Sequence, residues 1–298
     1  MFIRYTAQKD DNGMTVKQII AREFALSSRL LSKLKNTDGI KVNGVPVTVR
    51  CILGRGDVIT LEASDKSSKN VTPCSIELDV LYEDESILAV NKPSGMPTHP
   101  SQGHHKDTLA NAVMYRYRNE NFTFRAITRL DGDTTGVVLI ARNALAAQRL
   151  TDMLQNGKIK KEYTAITVGA PKNEEGIIDA PIARSEDSVI KRKVDENGKS
   201  AITKYSVITK SRDKSFAQVK AVPITGRTHQ IRLHLSHIGT PIYGDFLYGT
   251  PIDGVRAYLH CSCLELCHPM TGKLVKIQAP LPEDMSSLLL KFSSDINN

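Results

Sequence analysis

The sequence predicts an α+β protein: a mostly antiparallel sheet flanked by helices and loops, preceded by a small helix-helix-hairpin unit. Three observations carry this expectation. Strand-like runs such as ILAV, VVLIA, KEYTAITVG and SFAQVKAV mix with segments of helical period, without the strict alternation that a parallel sheet demands. Two short helical patterns and a VNG turn come first along the chain. A polar stretch without periodicity, EASDKSSKNVTP, then separates the parts. The expected boundaries are 1–62 for the first unit, 63–74 for the linker and 75–298 for the main domain.

Thr15 and Gln18 stand at capping-box spacing, and Val16, Ile19, Ile20 and Phe24 follow on one helical face. Ser27 or Ser28 caps a second helix whose Leu30, Leu31 and Leu34 turn inward, while Arg29 and Lys33, four apart, share the solvent side. In IKVNGVPV, Asn43 and Gly44 supply a tight turn between two strands, and GRGDVITLE closes the unit as another strand. Beyond the linker, Ile76, Leu78 and Val80 alternate, a charged turn spans Glu83 to Glu85, and ILAV enters as a buried strand before a Pro- and Gly-rich loop. VVLIA leads to a helix with Asn143 as N-cap and Gly157 as its stop. AITKYSVIT and SFAQVKAV are strands, and TGRTHQIRLHLSHIG is a helix, with Ile231, His234, Leu235 and Ile238 at helical spacing and Gly239 ending it.

The 298 residues suit one catalytic domain plus a small accessory unit. An excess of 40 Lys and Arg over 32 Asp and Glu gives a net charge of +8, which biases partners toward polyanions. No apolar run approaches the roughly 18 residues of a membrane span, and MFIRYTAQKDDNGMTV has no leader pattern, so a cytoplasmic protein is expected. Five cysteines without framework spacing fit a reducing compartment. No long exposed apolar stripe is apparent, and a monomer is expected.

YLHCSCLELCH places Cys261, Cys263 and Cys267 beside His268, but it reads as a strand with the three cysteines on one face. Same-face side chains then stand about 6.6 Å apart, whereas zinc draws sulfur in to about 2.3 Å. No metal site is expected. His99, His104 and His105 form a loop cluster that suggests metal binding or acid-base work, and Lys191, Arg192 and Lys193 form a basic run expected in a loop, either merely solvated or facing a polyanionic partner.

Asp131 sits in TRLDGDTTGVVLIARN between Gly132 and Gly136 on one side and Arg129 on the other. An isolated RLD tripeptide most often makes only an Asx turn or a local ion pair. The surrounding blocks change that reading. LAVNKPSGMPTHPS, TRLDGDTTGVVLIARN, KEYTAITVG, TGRTHQIRLHLSHIGTPIYGD and LHCSCLELCHPMTGKLVKIQAPLPEDM resemble, in that order, the blocks of the RluA family of RNA pseudouridine synthases, over about residues 75 to 285. The first unit is similar to the α-L RNA-binding motif, a usual appendage of members that modify large-subunit ribosomal RNA.

The resemblance implies a pseudouridine synthase catalytic domain in which Asp131 is the catalytic aspartate, Tyr163 packs against the target base and Arg232 pairs with the carboxylate. It implies that Arg129 helps hold the nucleotide out of the helix, that Asn91, Lys92 and Pro93 shape the wall of the site, and that Arg29, Lys33 and Lys35 contact RNA phosphates. The direct contacts of Gly226, Arg227, His229 and Gln230 are left unassigned. The implied substrate is ribosomal RNA, or else transfer RNA. Thr128 departs from the pattern, because most members carry His there. That departure bears on how the base or a phosphate is held, and it motivates the alternative of a non-catalytic RNA-binding protein derived from a synthase. Thr135, where Ser is common, keeps the hydroxyl.

The implied chemistry explains the small set of groups. Converting uridine to pseudouridine breaks the bond from N1 to ribose and makes one from C5, with no redox change or group donor, so no cofactor is expected. Bond cleavage builds positive charge on the sugar, which a carboxylate captures or stabilises. In a second route Asp131 removes a sugar proton and the reaction passes through a glycal. Either role wants an ionised Asp131 at neutral pH, with Arg232 offsetting the effect of burial. A stacked uridine hides its ribose, so flipping is expected. A glycosylase would need a second carboxylate to activate water, and Asp133 is the only nearby candidate.

Overall fold

The computed structural model describes residues 2–62 and 71–294, so residues 63–70 of the expected linker lie outside the described residues. The chain begins with β1 (Phe2–Thr6), α1 (Val16–Ile19) with a π-helical turn over Ile20–Phe24, α2 (Ser28–Lys35), β2 (Ile40–Val42), β3 (Val45–Pro46) and β4 (Val58–Glu62). The Thr15 hydroxyl accepts the Gln18 N–H at 3.3 Å while Gln18 Oε1 accepts the Thr15 N–H at 2.8 Å, which closes the capping box. Ser27 caps α2 through the Leu30 N–H. Asn43 and Gly44 both take positive φ, 52° and 84°, as a two-residue hairpin turn requires. The strands form one antiparallel sheet in the order β1-β4-β2-β3. FIRYT, which carries no strong strand pattern, supplies β1, with Ile3 opposite Leu61.

This unit has a hydrophobic core of its own, built on Ile19, Leu34, Ile59 and Leu61, and Leu145 from the second part of the chain is buried in it. Gln148 fixes the contact: its Oε1 accepts the Ser27 N–H and its Nε2 donates to the Ala25 carbonyl, both at 2.7 Å.

The rest of the chain runs β5 (Asp79–Glu83), β6 (Ile87–Lys92), α3 (Leu109–Arg116), β7 (Thr135–Ala141), α4 (Ala144–Gln155), β8 (Lys160–Val168), β9 (Glu175–Asp179), β10 (Ile182–Arg184), β11 (Arg192–Val194), β12 (Ile202–Lys210), β13 (Phe216–Pro223), α5 (Gln230–His237), β14 (Leu259–Cys267), β15 (Leu274–Gln278) and α6 (Glu283–Ser294). The α+β class and the mostly antiparallel sheet are as expected. Nine strands form one sheet in the order β5-β6-β7-β14-β8-β13-β12-β9, with β15 added to β14. Among the described residues its one parallel pairing is β7 with β14. That pairing sits at the centre, where all seven residues of β7 are buried.

Gly136 makes the central pairing possible. Its φ is +107°, and a Cβ there would stand 2.2 Å from the Cys261 carbonyl oxygen, so only glycine lets the start of β7 lie against β14. The Asp131 loop enters β7 at this point.

Arg192 and Lys193 lie not in a loop, as expected, but in β11, which pairs antiparallel with β10 so that Arg184 faces Arg192. Lys193 is balanced by Glu186 and Asp195, each 3.0 Å away. A three-residue strand is too short to leave a periodic signature.

Candidate active site

The loop carrying Asp131 is pinned from below. The Thr98 hydroxyl donates to the Leu130 carbonyl at 3.1 Å and accepts the Leu130 N–H at 3.4 Å. Lys92, at the end of β6, is fully buried, and its ammonium donates to the carbonyls of Pro93 (2.8 Å), Met96 (2.7 Å) and Gly132 (2.9 Å). Burial pushes the Lys92 pKa down to about 7, opposed by the charges of Asp133 and Asp131. Three N–H donors meeting three carbonyls is the full complement of an ammonium, which favours the charged form. The Asp133 carbonyl accepts from Ser94 and Arg256, both at 3.3 Å. Asp131 itself remains 30% exposed at the tip.

Lys92→Met should therefore act on both stability and turnover. Each carbonyl left without a donor costs about 1–3 kcal/mol, and the loop beside Asp131 loses its tether. Denaturant unfolding is expected to register the first effect. Activity measured alongside RNA affinity is expected to fall more than the affinity does, because Gly132 adjoins the carboxylate and not the rim of the cleft.

The facing wall comes from the turn before α5. Gln230 is buried with all four of its hydrogen bonds made: Oε1 accepts from the Thr225 hydroxyl (2.8 Å) and the Arg227 N–H (2.9 Å), and Nε2 donates to Ile202 O and Thr203 Oγ1, both at 3.0 Å. This fixes the turn against β12. Arg232, 3% exposed, donates through Nε and Nη2 to the two carboxylate oxygens of fully buried Asp245, both at 2.7 Å. Its remaining nitrogen, Nη1, stands 3.6 Å from Asp131 Oδ2. His229 Nε2 approaches the same oxygen at 3.8 Å. Neither carboxylate oxygen of Asp131 makes a hydrogen bond among the described residues, and both cationic neighbours approach Oδ2.

These walls enclose a cleft of about 490 Å³. From β8, Tyr163 and Lys161 contribute to it, and Arg129 and His99 sit at its edge. Burial raises the Tyr163 phenol well above its ordinary pKa, reinforced by neighbouring Cys261 and by Asp131. Burial lowers the Lys161 ammonium, which has no hydrogen bond or ion pair among the described residues. Burial also lowers His99, helped by Arg129.

Arg129, Asp131, Tyr163 and Arg232, singled out from sequence far apart in the chain, thus line one cleft. Arg29, Lys33 and Lys35 do not. They lie on α2, outside the cleft. Arg232 approaches Asp131 only to 3.6 Å, and the carboxylate that it grips is Asp245. Thr128 is buried, and its hydroxyl accepts the Leu139 N–H at 2.9 Å, so at this position the side chain ties the loop to β7 and does not line the cleft. Thr135 uses its hydroxyl on His260 Nδ1 at 2.8 Å. His104 pairs with Asp107 at 2.6 Å. Sequence reasoning missed Asp245, Tyr248 and Lys161, and it named His229 without assigning its contacts. Asp245 closes the TGRTHQIRLHLSHIGTPIYGD block and Lys161 opens KEYTAITVG, so both lie within blocks already singled out.

No group of three or more His, Cys, Asp or Glu side chains is placed to hold a metal, and no helix is long and apolar enough to cross a membrane, among the described residues. Solved structures similar to this chain include human pseudouridylate synthase domain proteins. The human RNA pseudouridylate synthase domain containing 4 superposes with a TM-score of 0.58 at 27% identity, over 72% of this chain and 93% of that one. The sequence comparisons agree: residues 86–237 match the family model described as RNA pseudouridylate synthase. An uncharacterized RNA pseudouridine synthase of Bacillus subtilis is 37% identical over 93% of this chain and 98% of its own length. The ribosomal large subunit pseudouridine synthase D of Pseudomonas aeruginosa is 37% identical over 95% and 93%. This chain belongs to the RNA pseudouridylate synthase family and is an RNA pseudouridine synthase.

Proposed function

We propose that the protein isomerises specific uridines of ribosomal RNA to pseudouridine, with the Asp131 carboxylate acting on the ribose of a flipped-out nucleotide. The single observation that carries this reading is the disposition of Asp131 at the cleft. Its carboxylate is 30% exposed and lines the cleft, with Arg232 and His229 both approaching the same oxygen. In this reading Tyr163 offers its ring to the base, and Arg129, exposed at the rim, takes the place the base vacates. Unstacking the nucleotide costs a few kcal/mol, which contacts in the cleft repay.

The positive edge of the cleft supports an RNA substrate. Arg184, Arg192, Lys199 and Arg227 line a groove that continues from the cleft at Gly226–Thr228. None of the four is paired with a carboxylate among the described residues. Arg192 and Arg227 direct their side-chain N–H groups to backbone carbonyls, which holds the guanidinium groups in place without neutralising them. Arg29, Lys33 and Lys35 on α2 are proposed as a second set of phosphate contacts, with residues 1–62 acting as an RNA-binding domain beside a catalytic domain over 75–298. The ribosomal substrate is supported by the likeness to the large-subunit enzyme of Pseudomonas aeruginosa.

Mapping of pseudouridines in ribosomal and transfer RNA from cells lacking the gene tests the proposal. One or a few ribosomal sites are expected to lose the modification and to regain it when the purified protein is added to that RNA. Loss confined to transfer RNA would overturn the ribosomal assignment. Release of free uracil by the purified protein would overturn the isomerase chemistry.

A further inference from the structure

We propose that His229 works as a neutral imidazole whose Nε2–H orients the Asp131 carboxylate, with the Tyr248 hydroxyl fixing that tautomer. The proposal rests on the reading of Asp131 as the reacting group.

The backbone supplies the first observation. His229 occupies the N-cap position of α5 with φ +56° and ψ 19°, the left-handed region that glycine and asparagine accept more readily than histidine. Its side chain makes no capping hydrogen bond to the helix it precedes. The conformation turns the imidazole away from the helix end, toward Asp131 on one side and Tyr248 on the other.

The hydrogen-bond network supplies the second. His229 Nδ1 lies 2.9 Å from the Tyr248 oxygen, and that oxygen already accepts the Arg192 backbone N–H at 2.9 Å. The phenol hydrogen needs an acceptor, and Nδ1 is the one it has among the described residues. Nδ1 is then the acceptor of the neutral ring, and the proton resides on Nε2. Nε2 lies 3.8 Å from Asp131 Oδ2, a gap of the kind that closes when substrate binds.

Charge explains why a neutral donor serves here. Arg232 already stands 3.6 Å from the same oxygen, but two of its nitrogens are committed to Asp245. A second full cation against Asp131 would hold the carboxylate in a tight ion pair and reduce its reactivity toward the sugar. Burial keeps His229 below its ordinary pKa. The charge of Asp131 raises it, Arg232 and Arg192 lower it again, and Asp245 raises it. These groups come from the Asp131 loop, α5, β11 and the loop after α5, the elements packed around the ring.

The sign of the pH dependence follows. Activity should fall as the pH drops through the depressed His229 pKa and the ring gains its second proton. The phenol hydrogen bond stabilises the neutral ring, so Tyr248→Phe should raise that pKa and move the acid limb of the rate profile to higher pH.

The test uses the full chain under single-turnover conditions with an RNA fragment carrying its mapped uridine. Glutamine places an amide nitrogen near the Nε2 position, whereas asparagine reaches only the Nδ1 position. His229→Asn is expected to lose about a hundredfold in rate, the scale of a misplaced reacting group, with RNA affinity and melting temperature unchanged. His229→Gln is expected to recover most of the loss. Equal rates for His229→Asn and wild type, or an acid limb that stays in place in Tyr248→Phe, would overturn the proposal. Titration of the His229 ring by NMR in the absence of RNA separates this from the reading of Asp131. The pKa is expected to rise in Tyr248→Phe and to fall in Asp131→Asn whether or not Asp131 is the reacting group. An unchanged ring pKa in both variants would overturn the proposed contacts.

Discussion

Asp245→Asn is expected to lower folding stability by about 3–5 kcal/mol, the cost of breaking a buried ion pair by removing one partner, and to slow pseudouridine formation as well. Volume is conserved, so packing is not the cause. Asp245 accepts from Arg232 Nε and Nη2 and from the backbone N–H groups of Leu247 (2.9 Å) and Tyr248 (3.1 Å). An amide in its place turns an NH2 group toward donors and leaves the buried guanidinium uncompensated. Burial alone would raise the Asp245 carboxyl, but Arg232 and the two backbone donors overcome it and hold its pKa below the ordinary value. A depressed folded-state pKa contributes stability above the unfolded value of about 3.9 that is lost as the pH falls toward the folded one. The gap between wild type and variant in chemical denaturation should therefore be full at neutral pH and shrink in acid. The effect on rate has a separate origin: without Asp245, the carboxylate facing Arg232 is Asp131, and a direct pair there draws that carboxylate toward the guanidinium and away from the sugar.

Much of this arrangement was legible in the sequence, and the parts that were not share a physical reason. Helix caps at Thr15, Ser27 and Asn143, the Asn43-Gly44 turn and the strand over Leu259–Cys267 are local features, written in a few adjacent residues. Asp131, Tyr163 and Arg232 were legible because their blocks resemble those of known enzymes. The bidentate pair of Arg232 with Asp245 was not, because a buried carboxylate thirteen residues further on carries no periodic signal. Nor was the triple carbonyl clasp of Lys92, since backbone acceptors have no side-chain identity to read. Strand order was hidden as well: β7 pairs with β14 across 125 residues, from Thr135 to His260. Helix α3 was overlooked although Thr108 and Asn111 form its capping box, a signal of the same kind as that at Thr15 and Gln18.

Asp131→Asn is expected to reduce the rate by about ten-thousandfold or more, the scale seen when a reacting side chain is removed. Asparagine matches the shape of the aspartate but neither attacks a sugar carbon nor accepts its proton. The fold should not suffer. Asp131 is partly exposed, and its cationic neighbours stand at 3.6 and 3.8 Å, so a stability change under about 1 kcal/mol is expected. RNA affinity should hold or tighten slightly, because one negative charge leaves a cleft that receives a polyanion.

The decisive measurement follows from the bond changes. When ribose moves from N1 to C5, the hydrogen on C5 is lost to solvent and N1 gains one in its place, so tritium placed at C5 of the target uridine is released only by completed isomerisation. With saturating enzyme and labelled RNA, the wild-type chain and an Asp133→Asn control are expected to release the label, while Asp131→Asn binds the RNA and releases none above background. Release by Asp131→Asn at a rate within tenfold of wild type would contradict the account.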